Sequence, residues 1–193
     1  MVKINTQKNR HHGDLKKALV DAGVKLLHQG GSSALTLRGC ATSAGVSHAA
    51  PAYHFDGFKG LLTAIVTQGF KDFTQEMIRQ RDAAGKDPLA RLIAIGDGYL
   101  MFAKSNEAMA ALMFMKNKIL SDDPEYQAAS AASYKVLAEA CVPFKSNGFS
   151  QKSIEVLIWS LIQGYSNLSR SGQVDVLETP FANILQLLNL NEQ

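Results

Sequence analysis

The chain has 193 residues, enough for one generous domain or two small ones sharing a helix. Its 46% hydrophobic and 19% charged residues allow a real core and argue against wholesale disorder. Cys40 and Cys141 lack CxxC spacing, which speaks against a disulfide framework or a zinc knuckle.

The formal net charge of +3 is unevenly spread. Up to Gln75 there are nine Lys and Arg against four Asp, and all five histidines lie there; the remainder is slightly acidic. A basic front on an acidic body suggests a polyanionic partner, although a solvated helical surface is an equal explanation. The longest apolar run, Ala108 to Met115, falls well short of the ~20 residues a spanning helix needs. No signal-like stretch opens the chain. The expectation is a cytoplasmic protein without membrane association.

Apolar residues recur with a helical period almost throughout. Residues 1–13 read as a flexible basic arm. Asp14 then caps a first helix burying Leu15, Ala18, Leu19, Ala22, Leu26 and Leu27, and Gly30-Gly31 ends it. Thr36 caps a short second helix carrying Leu37, Cys40 and Ala41, broken at Gly45. Ser47 caps a third, and Asp56-Gly57 closes it. A long fourth helix runs from about Phe58 to Ala84-Gly85, with Leu61, Leu62, Ile65, Val66, Phe70 and Phe73 inward. Asp87-Pro88 starts the next in a cap-then-proline pattern. Ser105 caps an apolar segment from Ala108 to Leu120, and Ser121-Asp122-Asp123-Pro124 starts another helix. Ser150 caps a long helix ended by Gly172, and Thr179-Pro180 opens the last. The result is an all-α chain of about nine helices.

Ala41, Gly45, Val46 and Ser47 have the spacing of a helix-turn-helix: a small residue at the helix contact and a glycine in the turn let two backbones approach steeply. The second helix of such a motif enters the major groove of DNA. Here Ser47 and His48 are placed to hydrogen-bond, Ala49 and Ala50 to allow close approach or touch a thymine methyl, and Tyr53 and His54 to reach phosphates. Pro51 sits awkwardly about four positions into that helix. An ordinary helical hairpin in a core has the same spacing.

The stretch from Leu35 to Phe70 resembles the DNA-binding domain of TetR-family transcriptional regulators. The shared elements are Thr36-Leu37-Arg38, Ala44-Gly45-Val46-Ser47, the His54-Phe55 pair and Leu61-Leu62. The resemblance implies that Thr36 and Arg38 approach the phosphate backbone, that His48 to Tyr53 lie along the groove, and that the fourth helix joins this head to the body. Two positions depart from the pattern. Ala52 stands where the family usually has Tyr, with Tyr53 next; Phe58 stands where Lys is common, with Lys59 adjacent. Further on, Trp159 to Gly164 resembles the Trp-x-x-x-His-Gly signature of one C-terminal subgroup, with Gln163 at the histidine position.

The implied organisation is an arm at 1–13, a helix-turn-helix domain at 14–60 and a ligand-binding and dimerisation domain at 61–193. Met101, Phe102, Met109, Met113 and Phe114, with Trp159, are candidates to line a pocket for a small apolar or aromatic effector; plain core packing explains them as well. Ile154, Leu157, Leu161, Tyr165 and Leu168, with Phe181, Ile184, Leu185 and Leu188, are candidates for a homodimer interface. His11-His12 has no companion ligands, Asp122-Asp123 reads as a cap, and no nucleophile–base spacing appears, so no metal, cofactor or catalysis is expected. The functional expectation is a repressor bound to double-stranded operator DNA and released by its effector. The alternative is a helical small-molecule-binding protein that does not bind DNA.

Overall fold

The computed structural model describes residues 6–146 and 148–191, with side chains from Leu15 onward. Nine α-helices appear among them: α1 (Thr6–Gly30), α2 (Leu37–Ser43), α3 (Ala50–His54), α4 (Gly57–Ala83), α5 (Pro88–Ser105), α6 (Glu107–Met113), α7 (Pro124–Cys141), α8 (Gln151–Arg170) and α9 (Phe181–Gln186). Short 3-10 turns cover Gly31–Ala34 and Lys116–Lys118. No described helix is long and apolar enough to cross a membrane.

Most expected boundaries hold because local hydrogen bonds enforce them. Thr36 Oγ1 accepts the Gly39 N–H at 2.9 Å and starts α2. Asp87 caps α5 through the Ala90 N–H, with Pro88 opening the helix, and Asp123 Oδ1 takes the Tyr126 N–H at the head of α7.

Four boundaries differ from the sequence reading. Asp14 does not cap α1, which starts two turns earlier at Thr6; Gln7, Lys8 and Arg10 are good helix formers. Residues 6–13 are therefore helical, while the first five residues and the side chains of His11 and His12 lie outside the description. Ser47 does not cap α3. That helix begins at Ala50, because Pro51 lacks an N–H and belongs in a first turn, which also resolves its awkward position. Ser105 does not cap α6: it ends α5, where the Asn106 backbone and side-chain amides both donate to the Phe102 carbonyl. The apolar run after it stays helical only to Met113 and reaches Leu120 through the 3-10 turn. Ser150 does stand at the N-cap of α8, but its hydroxyl meets Ser153 Oγ at 3.0 Å, not a backbone amide.

The described chain packs as two compact units. The first takes the residues up to Gly69 together with Ala108–Ala128. Its core holds Leu19, Leu27, Cys40, Ala41, Leu61, Ile65, Met113 and Ile119. Gly23 lets α1 lie against α4, since a Cβ there would come within 2.2 Å of Ile65 Cδ1. The segment 108–128 is held in this unit by polar as well as apolar contacts. The buried Thr63 hydroxyl donates to the Lys59 carbonyl and accepts the Leu120 N–H, both at 2.8 Å. Lys16 also pairs with Glu125 at 3.6 Å. The second unit takes Phe70–Glu107 and Ala129–Gln193. Its core holds Phe73, Leu92, Ile95, Phe102, Phe144, Ile158, Ile162 and Leu185. The boundary thus falls inside α4, which contributes to both units.

Candidate nucleic-acid interface and the surfaces around it

The helix pair α2–α3 is built by its turn. Gly45 adopts φ +69°, a left-handed conformation that favours glycine. Its N–H donates to the Thr42 carbonyl and the Val46 N–H to the Ala41 carbonyl, the paired bonds of a Schellman ending. The chain thereby turns sharply out of α2. Ala41 and Cys40 are fully buried and Pro51 at the start of α3 is buried, so small residues and the proline ring pin the motif from within.

The opposite side of the motif is polar and accessible. Thr36, Arg38, Ser47, His48, Ala49, Tyr53 and Lys59 are exposed, while Ala50 and His54 are half-buried. Tyr53 is 77% exposed, and its ring meets that of His54 edge-on at 5.4 Å. Thr42, which the sequence reading overlooked, lies 3.3 Å from His48 Nε2 through its hydroxyl and fixes the imidazole beside the turn. The signal for it was a polar residue one helical turn ahead of the glycine. Thr36 gives an oxygen lone pair to its cap, so its hydroxyl proton stays available to an acceptor.

The charge is presented the same way. Among the described residues Lys25, Arg38 and Lys59 make no ion pair, and all three are exposed. Lys59 lies in the first turn of α4, where the helix dipole is already positive; Asp56 just before the helix is the nearby acidic residue, and none lies within the turn. A cation there raises the local potential, an arrangement unfavourable for the isolated helix and favourable for an anion.

The other candidate residues are shared between the two units. Met109, Met113 and Phe114 belong to the first unit; Met101, Phe102 and Trp159 belong to the second. Met113 is 1% exposed and Met109 is buried against Gly69, where a Cβ would come within 2.5 Å of its sulfur. Phe102 is buried beside Phe73, with ring centroids 5.3 Å apart. These three are packed core as they stand. Met101 and Phe114 are exposed, and Met101 sulfur accepts from Gln80. Trp159 lies on the surface beside Tyr134, whose hydroxyl bonds both Lys152 and Glu155. Burial, and then the Glu155 carboxylate, push that hydroxyl's pKa up. Gln163, at the histidine position of the subgroup signature, hydrogen-bonds the Tyr99 hydroxyl. Burial raises the Tyr99 pKa, and this bond partly opposes the rise.

The apolar stripe of α8 divides. Ile154, Ile158, Ile162 and Tyr165 pack inward, and the Tyr165 hydroxyl donates to the Thr179 carbonyl at 2.7 Å. Leu157 and Leu168 remain 47% and 43% exposed, with Val156 beside them and open space around Gly164. On α9, Phe181 and Leu185 are buried; Ile184 and the neighbouring Leu188 are intermediate.

An all-helical chain with an exposed helix-turn-helix at its front has a well-populated set of structural counterparts. Their fold is that of the TetR-family transcriptional regulators. A TetR family transcription regulator from Marinobacter aquaeolei VT8 matches with a TM-score of 0.64 at 14% identity, over 96% of this chain and 100% of that one. The regulator FadR from Bacillus subtilis, in complex with stearoyl-CoA, matches with a TM-score of 0.67 at 14% identity, over 89% and 96%. A protein of unknown function from Rhodococcus sp. RHA1 is 26% identical with a TM-score of 0.76, over 92% of this chain and 93% of that one. No family model matches the sequence. No curated protein matches it either.

Proposed function

We propose that the chain is a homodimeric, cytoplasmic TetR-type regulator that binds double-stranded operator DNA through α2–α3 and is released by a small apolar or aromatic effector. One observation carries this reading: the exposed side of a Schellman-turned helix pair bears Arg38, His48, Tyr53 and Lys59, with the charges of Arg38 and Lys59 unpaired among the described residues. Arg38 and Lys59 neutralise phosphates, and Thr36 donates its hydroxyl proton to one. His48, Ala49 and Ala50 face base edges, while Tyr53 and His54 meet the backbone. Repression is the direction proposed, with operator release on effector binding. No step of catalysis is assigned.

The dimer follows from surface chemistry and from reach. Leu157, Leu168 and Gly164 form an accessible strip on α8 that a second copy can cover. One short recognition helix touches few base pairs, so useful affinity needs two heads about 34–36 Å apart on a pseudo-palindromic site. The complex of FadR with stearoyl-CoA supports a small-molecule effector. Selection of bound fragments from random DNA, followed by gel shift, tests the reading. A recurring two-fold site with steeply salt-dependent affinity is expected. Failure to enrich any sequence at low salt overturns it.

A further inference from the structure

The turn from α4 into α5 and the end of α7 border an open hollow of about 230 Å³, away from α2–α3 in sequence. Arg81, Lys86 and Arg91 line it, against the single carboxylate of Glu139. The remaining wall is apolar and stiff: Pro88, Ala140 and Pro143.

Within the lining the cations outnumber the carboxylates three to one, while Asp82 and the α5 cap Asp87 stand outside it. Asp82 serves two guanidiniums, taking Arg81 Nε at 2.8 Å and lying 3.8 Å from an Arg91 terminal nitrogen. Glu139 is held by Lys135, 3.6 Å away on the preceding turn of α7. Lys86 makes no ion pair among the described residues. Converging like charges repel, and an anion placed between them turns that cost into attraction. Guanidinium groups match the paired oxygens of carboxylates and phosphates in particular. The volume lies below the ~300–1,000 Å³ of sites for drug-sized ligands, so the occupant is small.

We propose that this hollow binds a small multivalent organic anion, one bearing two or more carboxylates or a phosphomonoester on a short carbon skeleton. Arg81, Lys86 and Arg91 clamp its oxyanions, and the prolines and Ala140 take the skeleton. The site is independent of the DNA-binding reading, because it lies in the second unit and needs no nucleic acid to be occupied.

Calorimetric titration of the full chain at matched ionic strength, with citrate, glycerol 3-phosphate and uncharged glycerol as probes, tests the site. Either anion is expected to bind and raise the melting temperature, glycerol is not, and the stronger of the two identifies the oxyanion class. Lys86→Gln combined with Arg91→Gln changes accessible side chains only and is expected to weaken binding about tenfold or more. Glu139→Gln is expected to strengthen it a few-fold, and Lys59→Gln in the head to leave it unchanged. No heat with either anion at about 10 mM, where even weak sites fill, overturns the proposal. It is also overturned if the double change leaves affinity intact, or if Lys59→Gln weakens binding as much, which would assign the anion to the head.

Discussion

The helix-turn-helix and α8 expose opposite chemistry. Within α2–α3 small apolar residues are used up inside the unit: Cys40, Ala41 and Pro51 are buried, and what remains outside is mainly hydroxyl, imidazole, phenol and cation, with the methyls of Ala49 and Ala52. On α8 the large apolar residues exceed what one chain can bury, leaving Val156, Leu157 and Leu168 in solvent. Unspent positive charge asks for a polyanion, and unspent apolar area asks for another protein surface. One chain therefore carries two different invitations, and each can be withdrawn separately.

The largest effect is expected from withdrawing the second. Leu157→Glu with Leu168→Glu places charge on the exposed strip without touching the buried face, and should give monomers by sedimentation. Loss of the second head should lower operator affinity by about 10²–10⁴-fold, the usual scale of avidity. A variant that sediments as a monomer yet keeps wild-type affinity breaks the comparison. Leu185→Glu is not equivalent, because Leu185 has no exposed surface and its replacement attacks the fold itself.

Next in size is a core change that separates buried from exposed methionine. Met113→Ala should destabilise the protein by about 2–5 kcal/mol in denaturant unfolding, whereas Met101→Ala should stay within roughly 0.5 kcal/mol. Equal effects would mean that the two residues are not divided as their burial implies.

Smaller again is Gly45→Ala. Open space surrounds the position, so the cost is conformational only, about 1–2 kcal/mol for a side chain held at φ +69°. Thermal unfolding reads it directly. The smallest expected effect sharpens the electrostatic half: Lys59→Gln should weaken binding to all DNA sequences alike and reduce the slope of log affinity against log salt by about one. A change of sequence preference instead would move Lys59 from phosphate to base.

Local chemistry was legible in the sequence and long-range allocation was not. Thr36, Gly45, Asp87, Asp123 and Gly172 mark boundaries because each acts on a backbone group within a few residues. Ser47 and Ser105 offered the same side chain without the geometry. Pro51 and Asn106 decided those ends, and a proline or an amide acting on its neighbours outranks a hydroxyl that merely precedes an apolar run. The stripe on α8 was visible as a stripe, but periodicity cannot say which half of a broad apolar face is covered by its own chain. The burial of Met109 and Met113 and the exposure of Met101 and Phe114 were hidden for a related reason: the stretch from 101 to 115 spans two packing units. Nothing local announces that residues 108–128 pack with the front of the chain. The one polar clue is Thr63, a hydroxyl on the inward side of a helix, which needs an acceptor and a donor from somewhere.

That hydroxyl has a consequence for how the molecule breathes. Leu120 sits near surface turns, and its amide would ordinarily exchange its hydrogen with water as fast as such turns fray. Its acceptor, however, is Thr63, 57 positions away on a helix whose neighbours Leu61, Leu62 and Ile65 are sealed in the core. To release that one hydrogen the protein must part the segment 108–128 from α4. Deuterium uptake at Leu120 will therefore report the detachment of that segment from α4, while Lys116–Lys118, a few exposed residues earlier, equilibrate early.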